Sequence, residues 1–506
     1  MRICGVTLPV FIIIPERQLL FMHAKKNPLS GKEINMSNTE KVWSLIDQDA
    51  AAFESMSDQI WGFAEFRFQE FQSSKLQKEY LKKEGFSITE KIAHMDTAFM
   101  AEWGEGGPLI GILGEFDALP DLAQHCDCLE KSPIEGQKYG HGCGHNLLGT
   151  AAVEACVAVK KYLEETGLKG RIRFYATPAE EGASAKTFML REGCFLDLDI
   201  CISWHPDSEN SCGGNTLSMI RAYFNFHGKA AHAAASPHLG RSALDAVELM
   251  DVGSNYLREH IIPEARLHYA ITNSGGVAPN TVQGEAEVCY NIRAPRNQDM
   301  LEIYERLQCV AKGAAMMTGT TVDIRPVSYY ANFLDNVTLN KLTEQSMRQM
   351  LRQDYTEEEL AYAKKFQPVL PENGVRHARE NALRYGGEHA SEIIDSPICL
   401  YTLPTGLPKS ASTDYGNVSW NVPSASLNCA CFAAGTALHS WQAVSQGKSS
   451  IAHKGMHNAA AVMAQVAVHL FEDPALVDQA KKDFDTARNG EVYRCILPDN
   501  IIPGDF

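Results

Sequence analysis

Three hydrophobic runs in this chain each lead straight into side chains that can bind metal or move protons. Leu109 to Leu113 is followed by Glu115 and Asp117, Ile172 to Tyr175 by Glu180 and Glu181, and Leu198 to Ser203 by His205. A fourth stretch, Gly142-Cys143-Gly144-His145, sets a thiol and an imidazole ahead of a helical pattern. A thiolate, imidazoles and carboxylates gathered together suit a zinc-like or manganese-like ion that polarises a carbonyl and activates water. If the runs are buried strands of an open α/β sheet, their carboxyl ends carry all these groups to one rim.

Each fragment alone has a plainer explanation. A buried cysteine is usually inert, a histidine at a helix start can cap it, and an acidic pair such as Glu180-Glu181 can simply favour the positive end of a helix. Adjacent carboxylates can also divide the labour of hydrolysis, one holding an ion while its neighbour takes a proton from water. A rival arrangement uses Cys143 as nucleophile and His145 as base. Their separation of two residues in a glycine-rich turn is awkward for that pair, and it leaves the glutamates without a role. His439, in Leu438-His439-Ser440-Trp441, is ambiguous on local grounds.

Positioning these groups requires a sizeable scaffold, and 506 residues allow two to four domains. The 46 basic and 62 acidic residues give a formal charge of -16, the wrong sign for gripping phosphate backbones, so nucleic acid is not an expected partner. Fourteen cysteines, mostly scattered singly, point to a reducing, cytoplasmic setting without disulfide staples. The apolar stretch Val6 to Ile14 is too short to span a bilayer and no clear small-residue cleavage site follows it, so residues 1 to 35 are expected to be a loose tail or an artefact of start-site choice, and no membrane partner is expected.

From Val42 to about Gly85 the apolar spacing is helical, and a second helix should run from His145 to Leu163. Strand, helix and strand in that order describe βαβ units, hence an α/β catalytic domain with a mainly parallel sheet. The style changes near Thr216. Period-two strands around Ile220 to Phe226, Arg266 to Thr272, Glu285 to Arg293 and Thr321 to Ile324 alternate with helices at Arg241 to Leu257 and Met300 to Ala315. That order, βαββαβ, predicts an inserted ferredoxin-like domain over residues 216–331, with the catalytic domain formed by 36–215 and 332–506. Residues 350 to 400 resist assignment, Ser410 to Val422 reads as a loop and strand end, and Ile451 to Leu470 as a final amphipathic helix.

The strings GEFDALP, GHGCGHNLLGTAA, PAEEG, HAAASPHLGRSALDAVELM, ITNSGGVAPN, STDYGNVSW and LHSWQAVSQGKSSIAHKGM resemble the aminoacylase and carboxypeptidase G type of metal-dependent amidohydrolase. The resemblance extends over most of the chain from about Met36. It implies a metal-dependent exopeptidase-like domain holding two divalent ions per subunit, manganese or zinc, and an inserted lid that also forms a homodimer. By motif, Cys143, His145, Glu181, His205 and His439 match metal ligands, Glu180 the general base, and Asp117 the carboxylate supporting the metal centre. In the lid, His232 matches a histidine that reaches the neighbouring subunit's site and steadies the oxyanion. Asn280 and Arg293 match positions that hold the substrate's carboxylate or carbonyl.

The implied activity is hydrolysis of the amide bond of an N-acyl amino acid, with p-aminobenzoyl-glutamate, a folate breakdown product, favoured over other N-acyl amino acids or small dipeptides. A related sister chain is a possible partner, and a non-catalytic partner role is the alternative of a different class. The chain departs from the pattern in three places. Glu115 stands where many relatives carry a ligand histidine, Gly144-His145-Asn146 replaces Gly-His-Asp, and Thr413-Asp414 replaces an acidic pair.

Overall fold

Runs that alternate sides with every residue must feed two cores, and the strands here do so. In the computed structural model, which describes residues 37–214, 216–406 and 411–504, Ile110, Ile112, Ile172, Phe174, Ile200 and Ile202 enter one hydrophobic core. Their neighbours Leu109, Leu113, Tyr175 and Cys201 enter a second core on the opposite face. The expected tail over residues 1 to 35 lies outside the described residues.

In chain order the principal elements are α1 (Asn38–Phe63), β1 (Ser87–Glu90), β2 (Phe99–Glu105), β3 (Leu109–Gly114), α2 (His145–Thr166), β4 (Gly170–Ala176), β5 (Ile200–Asp207) and β6 (Ser211–Cys212). There follow β7 (Ser218–His227), α3 (Ala243–Leu257), β8 (Arg266–Asn273), β9 (Glu285–Ala294), α4 (Asn297–Thr318), β10 (Thr321–Tyr330), β11 (Ser424–Ala430) and α5 (Ser450–Glu472). The helical run expected from Val42 to Gly85 is two helices, because Ala64 takes a positive φ of 41° after α1 and a second helix, Phe71–Lys83, starts afresh.

The large sheet has the order β1-β2-β4-β3-β5-β11-β6. It is mixed, which corrects the expectation of a mainly parallel sheet. β4, β3, β5 and β11 run parallel, whereas β1, β2 and β6 pair antiparallel at the two edges. Short links over residues 91–98, 106–108 and 208–210 reverse the chain, while a parallel neighbour needs a crossover of a dozen or more residues. One face is covered by α1, α2 and α5. The other is covered by the helices Ala185–Arg191 and Tyr415–Ser419 and by Leu497 and Ile501.

Three other segments differ from expectation. Tyr415–Ser419 is a short helix rather than a loop and strand end, because Asn417 is tied to Thr187 and to the backbone of Tyr329 and Ala331. α5 is buried on nearly every side rather than amphipathic, and it is followed by another helix, Pro474–Arg488. Residues 350–400 form the helices Glu357–Phe366 and Glu372–Tyr385, with a small core of Ala363, Phe366, Leu370 and Ile398. Thr356 and Glu359 close a capping box at the first of these. Among the described residues no single helix is long and apolar enough to cross a membrane.

Residues of β7 to β10 form a separate four-stranded antiparallel sheet in the order β8-β9-β7-β10, backed by α3 and α4. Ile220, Ala222, Phe224 and Phe226 of β7 face the helices together with Val288, Tyr290 and Ile292 of β9. The core of this unit is continuous with the second face of the large sheet.

Candidate metal centre

The parallel strands end where the chemistry gathers. Glu115 and Asp117 follow β3, Glu180 and Glu181 follow β4, and His205 sits inside β5, near its carboxyl end. Between β3 and β4 the chain delivers Cys143 and His145. Gly144 turns with φ 75°, and a Cβ there would meet Pro206 and Phe432 at 3.0–3.2 Å. His439 reaches the same rim from the loop beyond β11, itself at a positive φ of 58°.

Three overlapping donor groups result: Cys143, His145 and His205; Cys143, Glu181 and His439; and Glu115, His145 and Glu180. In each, the donor atoms lie within 4.8 Å of one another. Cys143 Sγ is 3.3 Å from His205 Nε2. His205 donates its Nδ1 proton to the Pro206 carbonyl at 2.7 Å, which leaves Nε2 as a lone-pair donor aimed into the site. Asp117 performs the matching task for His145, accepting from Nδ1 at 2.9 Å, and its second oxygen accepts the Glu181 backbone N–H at 2.9 Å. A carboxylate so placed fixes ring orientation and strengthens the imidazole as a ligand.

Two buried atoms, His145 Nε2 and Glu181 Oε1, make no hydrogen bond. Glu115 Oε2 stands 3.3 Å from the first, and His439 Nε2 stands 3.2 Å from the second. Buried polar atoms are rarely left this way. A thiol, imidazoles and a carboxylate around them form a donor set that fits a borderline-soft divalent ion.

Burial, with Glu115, Glu181 and Asp414 close by, pushes the Glu180 carboxyl well above the usual range. Its presentation depends on local turns. Ala179 has φ 53° and Gly182 φ 89°, and the Glu180 carbonyl accepts from the Tyr330 hydroxyl at 3.1 Å. Fully buried Glu70 accepts the Ala179 N–H at 3.0 Å and bonds to Thr97. Burial, with Asp117 nearby, raises Glu70 to about 8.

Sequence reasoning missed Lys186. This lysine is fully buried and pairs with Glu115 at 2.7 Å and with Asp414 at 2.5 Å. Against burial, these two carboxylates hold the ammonium above its usual range, while Lys186 and His145 keep Glu115 below its own. The available signal was a lone charge in the apolar run Ala183 to Leu190. The same contacts place the two departures at Glu115 and Asp414 in one ion triad. The third departure, Asn146, is tied to Ser57 and the Gly447 carbonyl. His141 belongs to none of these groups: its Nε2 donates to the Ile60 carbonyl at 3.0 Å, and burial pushes its pKa down to about 3.

His232 and Asn280 lie elsewhere. His232 is exposed on a two-residue strand paired with Thr281, its Nδ1 accepting the N–H groups of Ala234 and Ala235. The Asn280 carbonyl accepts from Ala233 N–H, which holds the two residues on one ribbon. Among the described residues neither side chain hydrogen-bonds or ion-pairs with the rim of its own chain. Arg293, half-buried on β9, lies on the same sheet face as Arg221 of β7.

The profile of Peptidase family M20/M25/M40 matches residues 111–399. The chain belongs to this family and is a hydrolase of it. It is 44% identical over 467 residues to one of the subunits of the p-aminobenzoyl-glutamate hydrolase of Escherichia coli, covering 90% of this chain and 97% of that one. It is also 28% identical over 455 residues to the Xaa-Arg dipeptidase of Mus musculus, covering 87% and 90% of the two chains. The fold is shared with a dinuclear metal-binding M20 peptidase from Bacillus subtilis, with a TM-score of 0.54 and 17% identity over 84% of this chain and 99% of that one.

Proposed function

We propose that this chain hydrolyses the amide bond of N-acyl amino acids, with p-aminobenzoyl-glutamate as the leading substrate. The observation that carries the reading is the convergence of Cys143, His145, Glu181, His205 and His439 beside Glu180. The substrate is suggested by the extensive similarity to the Escherichia coli p-aminobenzoyl-glutamate hydrolase.

A divalent ion held by these donors supplies Lewis acidity and lowers the pKa of water. Cys143 belongs to two of the donor groups, so Cys143, His145, Glu181, His205 and His439 would hold one or two divalent ions, with zinc or manganese suited to these ligands. Glu180 takes the proton of the attacking water and returns it to the leaving amine. Asp117 keeps His145 in one tautomer, and Lys186 neutralises Glu115 and Asp414 so that Glu180 remains the carboxylate available for proton transfer.

In this reading residues 216–331 act as the lid, Asn280 and Arg293 bind the substrate's carboxylate or carbonyl, and His232 completes the site of a second copy. Support for a homodimer comes from edge strand β8, with Tyr269 and Ile271 exposed, and from exposed Leu249, Val252 and Tyr256 on α3. A sister chain is the alternative partner. The other subunit of the Escherichia coli hydrolase is 27% identical to this chain over 249 residues. The cysteine usage supports a cytoplasmic location.

The test is purified full-length chain, alone and with such a sister, assayed on p-aminobenzoyl-glutamate and a panel of N-acyl amino acids, with elemental analysis of the same sample. Release of p-aminobenzoate that stops with a chelator and returns with added ion is expected. Turnover that survives chelation but not thiol alkylation would point to the cysteine mechanism instead.

A further inference from the structure

At Gly182, beside the acidic pair, two arginines from different parts of the fold converge. A Cβ on Gly182 would lie 3.3 Å from a terminal nitrogen of Arg221 and 3.6 Å from a terminal nitrogen of Arg67. Arg221 comes from β7 of the lid sheet, and Arg67 from the turn after α1. We propose that Arg67 and Arg221 form a subsite for a second carboxylate of the substrate, making the chain selective for N-acyl amino acids with an acidic side chain.

Both guanidinium groups are held in place without a counter-ion. Arg221 donates its Nε–H to Asn291 at 3.0 Å, and among the described residues its terminal nitrogens make no ion pair. Arg67 lies over the Phe66 ring at 4.9 Å, and that ring stacks on Tyr139 at 5.0 Å. Neither arginine has a carboxylate within 4.0 Å among the described residues, although Glu180 and Glu181 are their neighbours across the turn. Glu181 is turned toward His439, 3.2 Å away, and the ion donors, and Glu180 belongs to the donor group with Glu115 and His145.

Arg293 adds a third cation to this face. Register pairs Arg221 with Asn291 and Met219 with Arg293, so the two arginines share one side of the sheet two residues apart. Burial and the adjacent Arg221 lower the pKa of Arg293. Like charges gathered without a partner are costly, and an incoming dianion relieves that cost. Ser328 holds the turn at Gly182 by donating to its carbonyl at 2.9 Å. If Arg293 takes the main-chain carboxylate, Arg67 and Arg221 remain for an acid on the side chain, and the planar fork of each suits it.

This inference rests on the hydrolase reading above, so its test has two arms. Metal-loaded full-length protein is assayed on p-aminobenzoyl-glutamate and on the matching glutamine amide. Wild type should prefer the glutamate substrate, and R67Q and R221Q should each lower that preference roughly 10- to 100-fold, the worth of a lost hydrogen bond to a charged group. A preference unchanged in both variants, or an equal loss on both substrates, overturns the subsite.

Should wild type cleave neither substrate, the function reading fails and the second arm decides the subsite alone. Calorimetric titration of wild-type protein with glutarate and with butyrate should then show glutarate bound at least tenfold more tightly, and R221Q should erase the difference. Equal binding of the two acids, or binding of neither, overturns the proposal.

Discussion

The rim of the large sheet and the tip of the smaller one carry functional candidates in opposite states. At the rim, Cys143, His145, Glu180, Glu181 and His205 hang from strand ends and one helix start, buried or half-buried and braced by Asp117 and Lys186. At the tip, His232 and Asn280 stand on a short exposed ribbon whose contacts are its own. The difference teaches that the rim's donors are positioned within one chain, whereas His232 and Asn280 make no hydrogen bond or ion pair with that rim among the described residues. Groups fixed by a packed scaffold need little reorganisation during reaction.

The largest effect should separate these roles at the rim. Replacing Glu180 with Gln is expected to cut turnover by about 10²–10⁴ while metal content stays near wild type. Wild-type turnover in that variant would remove Glu180 from the mechanism. Next in size, Lys186→Met strands Glu115 and Asp414 as buried, unpaired acids and should cost about 3–5 kcal/mol in urea unfolding. A neutral result would show that the ion triad is dispensable for the scaffold.

Asp117→Asn addresses orientation, with an expected loss of about 10–100-fold in metal affinity by competition with a chelating dye. The tip is tested by mixing. His232→Ala and Glu180→Gln proteins, each inactive, should regain part of wild-type activity once protomers exchange, because hybrid dimers contain one intact site. No recovery despite demonstrated exchange would put His232 to work in its own chain.

The smallest effect lies in the scaffold beneath the rim, where His457 of α5 bonds to buried Glu154 of α2 at 2.8 Å. Against the burial that lowers it, Glu154 and Glu54 hold the His457 pKa up to about 10. A pKa raised by folding gives stability that is complete below the unfolded value of about 6.5 and is lost as pH rises through about 10. His457→Gln should therefore cost about 1–3 kcal/mol near pH 6, less as pH approaches 10, and leave metal affinity unchanged.

The amino-acid sequence alone determined the strands behind the rim and the residues that follow them. Burial on both faces writes a continuous apolar run, and the chemistry after it is local to the chain, so Leu109 to Asp117 and Ile172 to Glu181 were legible as they stand. The βαββαβ order was legible for the same reason, since period two and period 3.6 are local signals. Tertiary structure alone decided the direction of the edge strands, because an apolar run reads alike in a parallel or antiparallel neighbour. It also decided the partners of Lys186, whose carboxylates lie far away in sequence, and the meeting of Arg67 with Arg221 at Gly182. Such pairings depend on which surfaces pack together, and no spacing along the chain encodes them.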